Sequence, residues 1–193
     1  MSAGSANISA SQTQTVEGSA TLNGQSATRI AISETIQAPG KPDETFQGIN
    51  YLRLSEQVVS VVGTSSVFDK GGQAVTQTLS FAPAAPDLDF SLAVGASKTA
   101  SSTASLSFNP PSKSGSSNGT VVITFEGFET VTVPAGTFQD ACRFKLSITT
   151  SSAQTITRWI ARESGIVLRT VSSTGESQSL AAASINGAPV NAR

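Results

Sequence analysis

The feature that most constrains this chain is its punctuation. Apolar and polar residues alternate in short runs, and turn signals cut those runs at strand length. "SATLNGQSATRIAIS" sets Asn23-Gly24 between two alternating runs, the strongest short signal for a β-hairpin. "AVTQTLSF" alternates Val75, Leu79 and Phe81 with Thr76, Thr78 and Ser80, and the first set is the face expected to be buried. In "VTVPAGTFQDACRF", Pro134 at i+1 and Gly136 at i+3 suit a type I turn starting at Val133. After that turn, Cys142, Phe144, Leu146 and Ile148 are expected to point inward, with Arg143, Lys145 and Ser147 outward. "TITRWI", "GIVLRTV" and "SQSLAAASI" follow at a spacing of about 8–12 residues, as in an antiparallel meander.

Helix signals are weak by comparison. Residues 49–62 fit either periodicity, but β-type residues and uncapped ends favour strands. "RWIARESG" holds at most one helical turn. The fold class is therefore all-β: a curved antiparallel meander, an incomplete barrel or a barrel-like sandwich, with little or no helix. Residues 36–44 and 68–73 read as loop and turn, and Glu126-Gly127 as a short turn. "APAAPDLDF" is expected to break the sheet, with Leu88, Phe90 and Leu92 then opposing Asp87 and Asp89. The longest loop signal is 109–120, either a lobe boundary or a hairpin tip. Residues 1–18 form a flexible polar arm or an edge strand, and 19–193 a single antiparallel β domain.

Composition removes whole classes of function. Charged residues are 13%, against about 25% in an average domain. Net charge is −1, which gives no footprint for nucleic acid or an anionic membrane. Aromatics are 6% and do not interleave with basic residues, so no nucleic-acid partner is expected. No apolar run approaches the roughly 18 residues of a transmembrane helix. Residues 1–20 lack the basic and apolar regions of a signal peptide, so an exported protein is expected to be a mature chain. Abundant Ser and Thr with little charge point to a periplasmic, outer-membrane-anchored or extracellular setting.

The chain has no histidine and one cysteine. That excludes Ser-His-Asp and Cys-His catalysis and a thiolate metal site, so no catalytic residue, metal or cofactor is assigned. Asp87 and Asp89 are expected to form a solvated strand edge, not a Ca²⁺ site or an acid pair. Glu126 and Glu129 read as solubilising residues flanking a turn, and Cys142 as a buried structural thiol. Trp159 is an anchor for a core or for a concave face. Arg158 and Arg162 either hold an anionic group or pair with Glu163.

"GFETVTVPAGTFQDACRF" followed by "TRWIARESGIVLRT" resembles a group of bacterial periplasmic, outer-membrane-lipoprotein and secreted proteins classed as domains of unknown function. Their signature is a V-P-A-G-T-F turn and then a W-x-A-x-x-x-G-x-V segment. "PDLDFSLAVGAS" looks like that group's short proline-bounded, Gly-terminated segment, and the resemblance covers roughly residues 83–185. It implies a curved antiparallel sheet, often an incomplete barrel, broadly similar to lipoprotein-carrier folds, and no catalytic assignment. The chain departs from the group's usual Trp-Tyr-Ala-Pro-Gly by reading Trp159-Ile160-Ala161-Arg162-Glu163.

The expected function is a non-catalytic envelope or secreted β-domain. Its curved sheet would bind an apolar ligand, a lipidated peptide or an envelope protein partner, with Phe81, Phe90, Phe125, Phe144 and Trp159 as the lining and Arg158 and Arg162 beside it. The alternative is a structural or adhesive surface module that assembles by β-strand addition through the 1–18 arm. The oligomeric state is left open.

Overall fold

A computed structural model describes residues 9–37, 40–69, 71–111 and 114–190. It is all-β, with no helix among the described residues. Strands β1 (Ser9–Leu22), β2 (Gln25–Gln37), β3 (Glu44–Leu54), β4 (Val58–Asp69), β5 (Ala74–Asp89), β6 (Ser97–Asn109), β7 (Gly115–Val133), β8 (Gly136–Thr149), β9 (Ala153–Ile160), β10 (Val167–Ser172) and β11 (Ser177–Ser179) form one sheet in sequence order. That sheet is an antiparallel meander, not closed into a barrel. A separate small hairpin pairs β12 (Ser184–Ile185) with β13 (Ala188–Pro189).

Local chemistry explains the hairpins. Asn23 and Gly24 take φ of 49° and 77°, as a type I′ turn requires, and Leu22 pairs with Gln25. Pro134-Ala135 closes β7 onto β8 with Val133 opposite Gly136. The 161–164 segment is a turn closed by Gly165 N–H donating to Ala161 O at 2.8 Å.

Three local expectations are corrected. Residues 82–89 do not break the sheet: β5 runs through Pro83 and Pro86 to Asp89. The β5–β6 register ends at Ala82↔Thr103, and an extended backbone accommodates proline where a ladder N–H is not required. Glu126-Gly127 is not a turn but a bulge inside β7, with Gly127 at φ 122°. The chain turns at 90–96 instead, so Leu88 and Asp89 are both buried rather than on opposite sides of a solvated strand.

The polar N-terminal segment is an edge strand from Ser9, and residues 1–8 lie outside the described residues. Strand structure extends to Asn109 and resumes at Gly115, so most of the 109–120 loop is strand. Residues 112–113 of that loop, 38–39 of the 36–44 loop and 70 of the 68–73 turn lie outside the described residues.

The chain divides into two compact units. The first comprises the chain up to Ser55, Val59–Ala85 and Thr103–Ser117. In it the β1–β2 hairpin tip folds onto β5. Asn23 Nδ2 donates to Ser80 Oγ at 2.8 Å and Gln25 Nε2 to Phe81 O at 2.6 Å. Gly63 permits this closeness: a Cβ there would lie 2.4 Å from Leu22 Cδ2 and 2.5 Å from Leu79 O.

The second unit comprises Glu56–Val58, Pro86–Ser102 and the chain from Asn118 on. Its strands are packed on both faces. One face carries the cross-strand pairs Ile123↔Leu146, Phe125↔Phe144 and Cys142↔Ile160, with Ile123, Phe144 and Ile160 wholly buried. The opposite face carries a cluster of Val131, Val133, Phe138, Ala141, Trp159, Ala161 and Leu168. The Pro134-Ala135 corner is docked there, with Ala135 N–H donating to Leu180 O at 3.0 Å.

Candidate functional site

The predicted ligand residues are divided between two faces and two units. Phe81 belongs to the first unit, where it is half-buried in β5. In the second unit, Phe90, Phe125 and Phe144 come together. Phe144 meets Phe90 edge-on at 5.2 Å between centroids and Phe125 at 5.0 Å. Arg158 is the cross-strand partner of Phe144, but its guanidinium is engaged by Asp87 from β5.

Trp159 is on the other face. Its cross-strand neighbours are Arg143 and Arg169, and each guanidinium stands 5.4 Å from the indole centroid. Its Nε1 donates to Glu129. Arg143 bonds Glu129 at 3.2 Å, and its Nε lies 2.7 Å from Glu126 Oε2, close as an ion pair but not aligned as a hydrogen bond. The indole is buried, with its one donor satisfied. Glu126 and Glu129 are therefore corrected from turn-flanking solubilisers to acidic partners of Arg143, because the bulge replaces the turn they were expected to flank.

The aspartates are corrected too. They form no solvated edge: Asp89 is 1% exposed and bonds Lys98 Nζ at 2.8 Å, while Asp87 pairs with Arg158. Asp89 also accepts from the Ser91 N–H at 3.1 Å and from the Ser91 hydroxyl. Burial by itself would raise the Asp89 pKa, but the bonds from Lys98 and Ser91 outweigh it and hold the group below its ordinary value. Burial pushes the Cys142 thiol up, and the Arg162 charge offsets part of that rise. Among the described residues no group of three or more acidic or cysteine side chains is placed to hold a metal.

Apolar side chains around the aromatic cluster remain open to solvent. Phe90 is 38% exposed, Phe128 48% and Val94 62%. Phe128 packs edge-on against Phe125 at 5.1 Å, and the Arg162 guanidinium stands 5.0 Å over its ring. The 90–96 turn is anchored beside them by Gly95 N–H donating to Phe125 O at 2.7 Å. A Cβ on Gly127 would lie 3.2 Å from Val94, so the turn rests close against the bulge.

No family model, curated protein or solved structure matches this chain.

Strand alternation alone places Phe125 and Phe128 on opposite faces, which is why sequence reasoning passed over Phe128. The extra residue of the bulge returns Phe128 to the Phe125 face. The signal that could have exposed this was Gly127 inside an otherwise regular strand pattern.

Proposed function

We propose that this protein is a non-catalytic envelope or secreted β-domain whose second unit binds an apolar segment of a partner protein. One observation carries the reading: Phe90, Phe128 and Val94 stay exposed above the buried Phe125–Phe144 pair, with a cation, Arg162, over Phe128. Exposed aromatics seated on a rigid base, rimmed by arginine, are the composition of interface anchors. Two hollows in the surface are lined by first-unit residues, among them Ser19 and Leu52 in one and Thr13 and Ile49 in the other, and not by this cluster. A patch of exposed side chains suits a macromolecular partner better than an enclosed small ligand. Arg162 favours an acidic residue beside the apolar anchor. The envelope or secreted setting is what the sequence resemblance implies.

The test is a displayed-peptide selection, followed by fluorescence anisotropy of the enriched peptides. Peptides joining an aromatic or branched aliphatic residue to Asp or Glu are expected, and Phe128→Ser should weaken them at least tenfold. Equal binding to the wild type and to Phe128→Ser refutes the site. Saturable uptake of laurate at this patch, measured by calorimetry, would instead identify a lipid ligand and refute the protein partner.

A further inference from the structure

β1 is the terminal strand of the sheet order, 14 residues long and almost wholly exposed. Free edges are ordinarily blunted by lysine, proline, inward charges or short length. From Ser9 to Val16, "SASQTQTV", β1 has neither charge nor proline. Its one charge, Glu17, is held in-chain by Arg29 on β2. The bulge at Val16/Gly18 lies at the far end of that run and leaves its register with β2 regular. The other end of the order is different: β11 has 3 residues, too few to receive a strand of this length.

We propose that β1 pairs antiparallel with β1 of a second copy, joining two sheets across a two-fold axis centred on Thr13. Such an axis keeps like faces on one side, so paired positions must share parity. Centring on Thr13 sets Ser11 opposite Thr15, Gln12 opposite Gln14 and Ala10 opposite Val16. Hydroxyls then meet hydroxyls and amides meet amides, both favourable cross-strand pairs. Val16, 68% exposed, gains an apolar partner. Gln14 Nε2 already donates to Gln12 Oε1 at 2.6 Å, an amide row that the second copy extends. The short β11 edge makes a closed dimer, not a head-to-tail filament, the product.

The experiment is light scattering over a concentration series, with cysteine crosslinking in a Cys142→Ala background. The wild-type mass should rise from monomer to dimer with concentration. Thr13→Lys sets two ammonium groups opposite each other and should leave a monomer with unchanged circular dichroism. Thr13→Cys should form a disulfide dimer under mild oxidation, because self-paired Cα atoms lie about 4.5–5.5 Å apart. Thr15→Cys, facing Ser11, should crosslink at least tenfold more slowly. A concentration-independent monomer mass overturns the proposal, as does a dimer that survives Thr13→Lys or crosslinks equally at positions 13 and 15. Loss of the wild-type dimer signal on adding a strand-forming peptide of unrelated sequence would also overturn self-specific pairing.

Discussion

Replacing Asp89 by asparagine removes one charge at the most thoroughly buried carboxylate described, while changing the side-chain shape little. The cost follows from its partners. Asparagine Oδ1 can still accept from Ser91, but an amide replaces the oxygen that faces Lys98 Nζ at 2.8 Å. A hydrogen bond to a charged group contributes about 1.5–3 kcal/mol, and that is the expected loss of unfolding free energy. Lys98 is 53% exposed and can turn to water, so it is not left buried and unpaired. The complementary change, Lys98→Met, leaves the carboxylate buried with Ser91 alone and should raise the Asp89 pKa, since burial then goes less opposed.

The sign with pH follows from the direction of the Asp89 shift. Its folded pKa is below the ordinary 3.8, so its stabilisation is complete above that value and is lost as pH falls through the folded pKa. The gap between wild type and Asp89→Asn should therefore be constant from neutral pH down to about 4 and narrow below it. Urea unfolding followed by Trp159 emission reads this directly, because Trp159 and Asp89 lie in the same unit. A variant within about 0.5 kcal/mol of wild type at pH 7, or a gap that does not narrow in acid, refutes the reasoning.

Two further outcomes are expected. Gly63→Ala should cost about 1–3 kcal/mol by calorimetry, because the Leu79 carbonyl cannot move as the Leu22 methyl can; Gly115→Ala, with open space around it, should be near neutral. Cys142 should resist Ellman's reagent in the native protein and react fully in guanidinium, since it is buried and burial raises its pKa; labelling of the native protein at the rate of a free thiol would contradict that.

Much of the fold was legible because it is local. The Asn23-Gly24 turn needs only two residues with positive φ, and Pro134 and Gly136 mark their corner without help from elsewhere. Alternation likewise placed Cys142, Phe144 and Leu146 on a buried face, because a strand's period of two is a property of its own backbone. Trp159 reads as an anchor from the sequence, but the face it anchors does not. Only the β8–β9 register, Arg143↔Trp159 beside Phe144↔Arg158, puts it opposite the phenylalanines. Asp87 and Arg158 are 71 residues apart in sequence, and nothing near either announces the other. The bulge that returns Phe128 to the Phe125 face needs an unpaired residue in one strand and a regular partner, a relation between two strands. By itself the sequence determined the strand-rich class and the Asn23-Gly24 and Pro134-Ala135 corners, which depend on backbone preference and side-chain period. The tertiary structure decided which residues face water together, because register and long-range pairing are set by the packing of distant segments.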